Sequence, residues 1–307
     1  MNAAFQWHRL LAARWPERRS VQFGFPYVDT LKIQQKLGAG VMFLPRGDHQ
    51  ELAALRDAAA HERFAAIYTE FPSNPLLNTP DLEALAEIGR KTETPLVVDD
   101  TVSSCCNVDL SEVADVVWMS LTKYFSGVGD VTGGAMVVNP RSRQADSLRS
   151  LLRSGYEDLL LPADARALER NSRDFVRRVQ AVNANAERLA DHLQRHPRVE
   201  QVYYPKLRQP DLYRKFLKAG GGYGGLLSVT LKDGAVRSPR FFDALSVAEG
   251  PNLGMAYTLA CPYTVLAHYT EFDFAEACGV SRWLVRISVG AEPIEELIQK
   301  FDAALDA

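Results

Sequence analysis

The sequence predicts an α/β fold, a mostly parallel sheet with helices on both faces, plus a smaller C-terminal α+β domain. In the first half, short apolar segments alternate with segments of helical periodicity. The apolar segments are continuous rather than alternating, which is typical of parallel strands covered on both faces. After Asn139-Pro140 the pattern changes to one long amphipathic helix with fewer strands. We therefore expect a large domain over residues 1–150 and an α+β domain over 151–307.

The first half begins with a segment that fits two interpretations. Phe5, Leu11 and Trp15 fall near one face of a helix, which favours a structural first helix, whereas four arginines before Ser20 would also suit an organelle presequence. A helix is expected over 50–61, and a second one after Thr79 as its cap. The expected strands are 40–44, 65–70, 95–99, 117–120 and 134–138.

The second half contains a helix whose apolar residues recur at steps of four and three between Phe175 and Leu193. A strand over 199–204 follows. The glycine-rich segment 220–225 leads directly into an apolar run, so a bend that enters a strand is favoured over a phosphate-binding loop. The remaining elements expected are a strand over 284–289 and a closing helix from Ile294.

Composition excludes several classes of protein. The net charge is -3 and no long Lys/Arg run occurs, so nucleic acid is not an expected partner. No apolar segment approaches the length of a membrane span. Four cysteines, Cys105, Cys106, Cys261 and Cys278, show no metal-binding spacing, and we interpret them as reduced thiols of a cytoplasmic protein without a metal site.

One short segment carries the most chemistry. Ser120, Thr122 and Lys123 directly follow an apolar strand, and Asp99 ends another. A lone lysine in such a loop would be a solvated surface residue. With a strand-end acid and a glycine run behind it, the group instead indicates a pyridoxal phosphate (PLP) site. The lysine amine would bond to the cofactor aldehyde, the acid would keep the ring nitrogen protonated, and the hydroxyls would bind the phosphate.

Four segments in order, 70–77, 97–101, 120–124 and 285–292, resemble the Cys/Met-metabolism family of PLP-dependent enzymes. Three further segments, 23–30, 171–175 and 257–263, look most similar to the fungal-type cystathionine γ-synthases of that family. The resemblance covers essentially the whole chain. It implies PLP as cofactor and the fold type I architecture of PLP-dependent transferases.

By position, the resemblance makes Lys123 the cofactor lysine and the proton carrier. It assigns Asp99 to the ring nitrogen and both Ser120 and Thr122 to the phosphate. Asn74 would reach the phenolic oxygen of the cofactor or the substrate carboxylate. Arg286 would bind that carboxylate bidentately, the alternative being a surface salt bridge.

Two positions depart from the common family pattern. Where many members have a tyrosine that stacks on the cofactor ring and moves protons, this chain has Phe23, which stacks but donates no proton. Tyr27 is the second candidate for that role. Asn252 stands where a serine is common beside the substrate carboxylate, and it can still donate a hydrogen bond.

A third departure concerns the start of the chain. Family members carry a preceding segment with a Ser-Gly-Met turn that binds the phosphate and a Tyr-x-Arg that reaches into a neighbouring site. Met1 resembles the methionine of that turn, so we expect it at the cofactor and expect the rest of the turn to be missing. A separate chain that supplies this segment is a possible partner, besides a homo-oligomer (dimer or tetramer).

The resemblance implies γ-replacement on an O-acylhomoserine, with cysteine as nucleophile, to give cystathionine. Two alternatives stay open. One is another γ- or β-lyase or sulfhydrylase of the same family, because those reactions share the same pocket residues. The other is a catalytically incompetent half-site subunit that needs a partner chain.

Overall fold

The computed structural model describes residues 2–307. The prediction that Met1 lies at the cofactor therefore falls outside the described residues. The first part of the chain forms six strands and four helices: α1 Asn2–Arg14, β1 Ser20–Phe23, α2 Val28–Lys36, β2 Val41–Leu44, α3 His49–His61, β3 Ile67–Glu70, α4 Leu82–Thr92, β4 Leu96–Asp99, β5 Val116–Ser120 and β6 Gly134–Val138. A π-helical turn, Leu121–Phe125, lies between β5 and β6.

The rest of the chain forms five strands and nine helices, several of them short: α5 Ala145–Gly155, α6 Pro162–Ser172, α7 Phe175–Leu193, β7 Val199–Tyr203, α8 Pro205–Arg208, α9 Pro210–Arg214, β8 Leu226–Leu231, α10 Gly234–Ala244, β9 Ala248–Glu249, β10 Leu259–Pro262, α11 Tyr263–Ala267, α12 Phe272–Ala277, β11 Val285–Ser288 and α13 Ile294–Asp306.

The first sheet has the order β2-β1-β3-β4-β5-β6, and only β6 runs antiparallel to its neighbour. This confirms the mostly parallel sheet. Strand β1 was not predicted, because the four residues of this strand include the polar Gln22. That side chain is buried and its oxygen accepts a hydrogen bond of 2.8 Å from Gln34 of α2, so the polar group is satisfied inside the core.

Strand register sorts the strand-end residues onto two faces. Glu70 lies beside Asp99, and Asp99 lies beside Trp118. Phe23 lies beside Thr69, one residue before Glu70. Since side chains of paired residues point to the same face and successive residues alternate, Phe23 lies on the opposite face from Glu70 and Asp99.

Helix α4 begins later than predicted. Asp81, not Thr79, is its cap, because the Asp81 carboxylate accepts a hydrogen bond of 3.1 Å from the backbone N–H of Ala84. The Thr79 backbone N–H instead donates to Gln209 at 3.0 Å, which fixes Thr79 outside the helix. Both residues are typical caps, and the tertiary contact decides between them.

The second sheet has the order β7-β8-β11-β10-β9 and is mostly antiparallel. Helix α7 contacts both parts of the molecule. Its first half, with Val179 and Val182, packs in a cluster with Tyr124 of the π-helical turn. Its second half, with Leu189 and Leu193, packs in the core of the second sheet. This helix therefore connects the candidate site to the C-terminal core.

As predicted, the glycine-rich segment 220–225 bends into β8. Its glycines pack closely against α7. A Cβ atom at Gly225 would lie 2.0 Å from Cγ1 of Val182, and one at Gly222 would lie 2.7 Å from Asn183. Larger side chains would therefore push the segment away from α7. The interpretation as a bend that enters a strand is confirmed.

Among residues 2–307, no helix is long and apolar enough to cross a membrane. All four cysteines are free thiols in this structure, with Cys261 and Cys278 buried. The described part of the chain contains no group of His, Cys, Asp and Glu side chains arranged to hold a metal ion.

Candidate active site

Three polar residues end adjacent parallel strands. Glu70 ends β3, Asp99 ends β4 and Ser120 ends β5. Because these strands are parallel neighbours, their carboxyl ends meet at one edge of the sheet. Open α/β sheets bind their ligands beyond this edge. The structure therefore brings together the strand-end residues that the sequence indicated.

Lys123 lies in the π-helical turn just beyond β5. Its backbone (φ -84°, ψ -126°) departs from helical geometry, and its amine donates a hydrogen bond of 2.5 Å to Oδ1 of Asn252. Burial, and secondly the nearby Arg286 guanidinium, lower the pKa of the Lys123 amine to about 8. At pH 7 roughly one amine in ten is then neutral, against about one in 3,000 for an ordinary lysine. A neutral amine is the form that attacks an aldehyde.

Asp99 is a carboxyl group without a charged side-chain partner among the described residues. Its Oδ1 accepts a hydrogen bond of 2.9 Å from the backbone N–H of Thr101. Burial raises the pKa of the Asp99 carboxyl above its usual value. A protonated ring nitrogen placed against it would supply the missing positive charge and lower that pKa again.

The two predicted phosphate hydroxyls differ. The Ser120 backbone N–H donates to Thr101 Oγ1 at 2.9 Å, while the Ser120 hydroxyl has no hydrogen bond to any residue in the range 2–307. The Thr122 hydroxyl already accepts a hydrogen bond of 3.0 Å from the backbone N–H of Gly133. Ser120 is thus open to a phosphate oxygen. Thr122 also donates its proton to the carbonyl of Gly133, at 3.4 Å, so it would have to exchange this long hydrogen bond for one to a phosphate oxygen.

Arg286 of β11 is a buried guanidinium, 5% exposed, whose hydrogen-bond partners are all neutral. It donates to Oδ1 of Asn74 at 3.0 Å and to the carbonyl of Pro251 at 2.5 Å. Its charged end also lies 5.1 Å from the centroid of the Tyr263 ring. No described carboxylate lies within salt-bridge distance. The alternative of a surface salt bridge is therefore wrong, and the arrangement suits an anionic ligand.

The structure does not bring Phe23 to the site, which corrects the first candidate for the stacking position. Its ring is 1% exposed and packs in the core with Leu44 and Leu55. The physical reason is strand alternation, which turns Phe23 to the face opposite Asp99. A ring enclosed there has no free face for a cofactor.

Tyr27, the second candidate, lies at the strand edge. Its backbone N–H donates a hydrogen bond of 2.6 Å to Oε1 of Glu70, and its side chain is 42% exposed. Its phenol donates to Oδ2 of Asp29 at 2.9 Å. Partial burial, and then the hydrogen bond to Asp29, raise the pKa of the Tyr27 phenol to about 12. The phenol therefore keeps its proton at neutral pH.

Glu70 lies at a strand end, as the sequence predicted, but the sequence alone indicated no role for it. Its carboxylate accepts hydrogen bonds from the backbone N–H groups of Tyr27 at 2.6 Å and Asn74 at 3.0 Å. It thus joins the two loops that carry these candidates. Burial raises the pKa of Glu70 well above its usual value, with the Asp99 charge as the second cause. Its signal in the sequence was a charged residue at the end of an apolar strand.

These residues fit PLP. Among residues 2–307, the site offers a lysine with a lowered pKa, a partly buried acid without a charged partner, a hydroxyl without a hydrogen bond and a buried guanidinium without a carboxylate partner. Each matches one group of the cofactor or of an amino-acid substrate: aldehyde, ring nitrogen, phosphate and carboxylate. A purely structural polar cluster would have paired these charges with each other.

Comparisons with known proteins agree with this geometry. The family model described as Cys/Met metabolism PLP-dependent enzyme matches residues 24–306. A cystathionine γ-synthase of Neurospora crassa is 46% identical over 313 residues, covering 99% of this chain and 50% of that protein. A cystathionine γ-synthase-like enzyme of Amanita muscaria is 40% identical over 337 residues, covering 100% of this chain and 53% of that protein. The chain spans about half the length of these relatives.

A solved structure gives the same result for the fold. Cystathionine γ-synthase from Xanthomonas oryzae pv. oryzae, in complex with aminoacrylate and cysteine, superimposes with a TM-score of 0.84 at 26% identity. The match covers 99% of this chain and 80% of that one. The predicted fold type I architecture is confirmed. With the family model matching nearly the whole chain and the two relatives at 46% and 40% identity, the chain belongs to the Cys/Met metabolism family of PLP-dependent enzymes.

Proposed function

We propose that this chain catalyses a cystathionine γ-synthase-like γ-replacement on an O-acylhomoserine, with cysteine as the nucleophile. The observation that carries the proposal is the bridge formed by Asn252. Its side-chain oxygen accepts from Lys123 at 2.5 Å, and its backbone oxygen accepts from Arg286 at 3.4 Å. One residue therefore holds the amine and the carboxylate-binding group of an amino-acid site next to each other.

Each residue then has a definite task. Arg286 binds the carboxylate of the substrate, and Asn74, which contacts the same guanidinium, orients it. Lys123 would hold the cofactor through its aldehyde, and its Nζ would take the α-proton of the substrate and return a proton to the substrate chain. Its lowered pKa suits both directions of transfer near neutral pH.

The remaining residues hold the cofactor. Asp99 keeps the ring nitrogen protonated, and Ser120 with Thr122 binds the phosphate. Tyr27 covers the ring and keeps a phenolic proton available. The cofactor, when bound, stabilises negative charge on the substrate carbons so that the γ-acyloxy group leaves. The thiol of cysteine then adds at the γ carbon, and the products are cystathionine and the free carboxylic acid.

The relatives named above, a cystathionine γ-synthase and a cystathionine γ-synthase-like enzyme, support this reaction over the lyase and sulfhydrylase alternatives. The test is a product assay with the purified chain, PLP and an O-acylhomoserine. We expect cystathionine with cysteine, at a kcat/KM at least about tenfold above that for sulfide, because a substrate carboxylate adds a charge-assisted hydrogen bond. Homocysteine formed faster from sulfide, or 2-oxobutanoate formed without a nucleophile, would instead favour the alternatives.

We also propose that the chain assembles with further copies of itself into a dimer or tetramer. Apolar side chains between α5 and α6 are exposed, among them Tyr156 (56%), Leu159 (49%) and Leu161 (63%). Burial of such a patch against a second copy would stabilise the assembly. Light scattering on the purified chain should give at least twice the 34.1 kDa of one chain. A mass of one chain across micromolar concentrations would refute the assembly.

A further inference from the structure

The turn that carries Lys123 is held from outside by Arg178 of α7. The Arg178 guanidinium donates hydrogen bonds to three consecutive carbonyls that follow the lysine: Tyr124 at 3.0 Å, Phe125 at 3.0 Å and Ser126 at 3.1 Å. The arginine side chain is 15% exposed. Three acceptors in a row, bound by one partly buried cation, fix the path of the backbone directly after Lys123.

The guanidinium is itself fixed in direction. It donates a fourth hydrogen bond, of 2.9 Å, to the carbonyl of Asn171 in α6. Its Nε donates to Oδ1 of Asp174 at 2.7 Å. Because the guanidinium is planar, contacts on both of its edges leave it little freedom to turn. Arg178 thus connects α6, α7 and the lysine turn.

The turn that carries Lys123 has few internal interactions that stabilise it. It has five residues, and Lys123 interrupts its helical geometry. Helical turns this short are unstable in isolation because few internal hydrogen bonds offset the ordered backbone. The last carbonyls of any helical turn lack internal partners, and positive charge is favourable at that end. Arg178 supplies both the hydrogen-bond donors for these carbonyls and the positive charge at this end of the turn.

Gly127 makes room for this contact. A Cβ atom at position 127 would lie 1.9 Å from Nη1 of Arg178. The residue also has φ +71°, which glycine adopts at little cost. The sequence thus keeps the space beside the turn open for the guanidinium.

We propose that Arg178 is a positioning residue which, by binding the carbonyls after Lys123, holds the lysine amine within reach of Asn252 and of the cofactor. This role goes beyond the proposed reaction, since it holds for any PLP chemistry at Lys123. Without Arg178 we expect the turn to loosen and the amine to reach water. The pKa of Lys123, about 8 because of burial, should then rise toward the ordinary lysine value of 10.5.

The test compares Arg178→Met with Arg177→Met in the full chain. Arg177 is the neighbouring arginine, 83% exposed, and forms an ion pair with Asp174. Competitive labelling with trace acetic anhydride, read by mass spectrometry, gives the pKa of the Lys123 amine without any cofactor. We expect a rise of at least about one unit in Arg178→Met and no change in Arg177→Met. Titration with PLP should show a Kd about 10- to 100-fold higher in Arg178→Met alone.

A general loss of stability would lower the melting temperature without moving the labelling midpoint, and that result would overturn the proposal. Should Arg178→Met fail to fold, Asp174→Ala gives a milder test, since Asp174 is half-exposed and orients the guanidinium. It should raise the same midpoint by a smaller amount, and an unchanged midpoint would also count against the role of Arg178. Failure of the wild-type chain to bind PLP would bear on the proposed function, whereas the labelling result bears on Arg178 alone.

A double-mutant cycle separates two effects of a side chain at position 127: the strain of its positive φ and its clash with Arg178. Gly127→Ala should weaken PLP binding in the wild type through its clash with Arg178. In an Arg178→Met background only the cost of the positive φ remains, so the added loss should be smaller. Equal losses in both backgrounds would show that Gly127 does not act through Arg178.

Discussion

Lys123→Ala should abolish the visible absorbance band that the purified chain shows when PLP is bonded to a lysine, leaving the spectrum of the free aldehyde. The reaction rate should fall at least about a thousandfold, since both the covalent attachment and the proton carrier are lost. Absorbance spectra and the cystathionine assay measure the two effects. Lys91→Ala, at a lysine 71% exposed on α4, is the matched control and should change neither.

The stability of Lys123→Ala distinguishes lost chemistry from lost structure. The folded pKa of Lys123, about 8, lies below its ordinary value of 10.5, so between these values the unfolded chain binds more protons. Wild-type stability therefore rises with pH across that window, and the full cost of burying the amine is present below pH 8. Removal of the amine should leave the apoprotein at least as stable as wild type at pH 7. A clear drop in melting temperature would indicate a structural role instead.

Arg286→Met should raise the KM for the amino-acid substrate about 100-fold or more. The methionine keeps much of the side-chain volume but removes the charge-assisted hydrogen bonds to the carboxylate, each worth about 1.5–3 kcal/mol. It also leaves Asn74 Oδ1 and the Pro251 carbonyl without their donor. Because Arg286 contacts no predicted cofactor ligand other than Asn74 within residues 2–307, the cofactor band should persist. Steady-state kinetics and spectra on one preparation measure both.

Arg282→Met is the matched control for this change. Arg282 lies four residues earlier, at the surface, and pairs with Glu276 and Asp273. We expect its KM to equal that of the wild type. An unchanged KM in Arg286→Met would show that the carboxylate binds elsewhere, and the assignment of this guanidinium would have to be abandoned.

The elements that were predicted well are those with a local signal. Apolar runs that end in a polar residue located β3, β4 and β5, and hence the edge where Glu70, Asp99 and Ser120 meet. Their arrangement follows from the sequence because parallel strands place their carboxyl ends together. The strand β1 had no such signal, since Gln22 breaks its apolar pattern and its side-chain oxygen is satisfied by Gln34 on a later helix.

The residue expected to stack on the cofactor ring shows why some predictions from the sequence failed. Phe23 and Tyr27 are close in sequence, but strand alternation together with register turns Phe23 into the core, whereas the Tyr27 backbone binds Glu70 at the strand edge. Arg178 carried no signal either, because its acceptors on the lysine turn lie more than 50 residues away in the chain. Contacts of that separation depend on how α7 packs, which local patterns do not encode.

By itself, the sequence determined the α/β class and the family, and it proposed Lys123 as the cofactor lysine with Asp99 as its strand-end acid. These follow from short-range periodicity and from residue types that a given chemistry requires. Only the tertiary structure decided that Arg286 is buried without a carboxylate partner among residues 2–307, that Asn252 joins it to Lys123, and that Phe23 lies in the core. The physical reason is that burial and charge pairing depend on atoms far apart in the chain, which packing alone brings together.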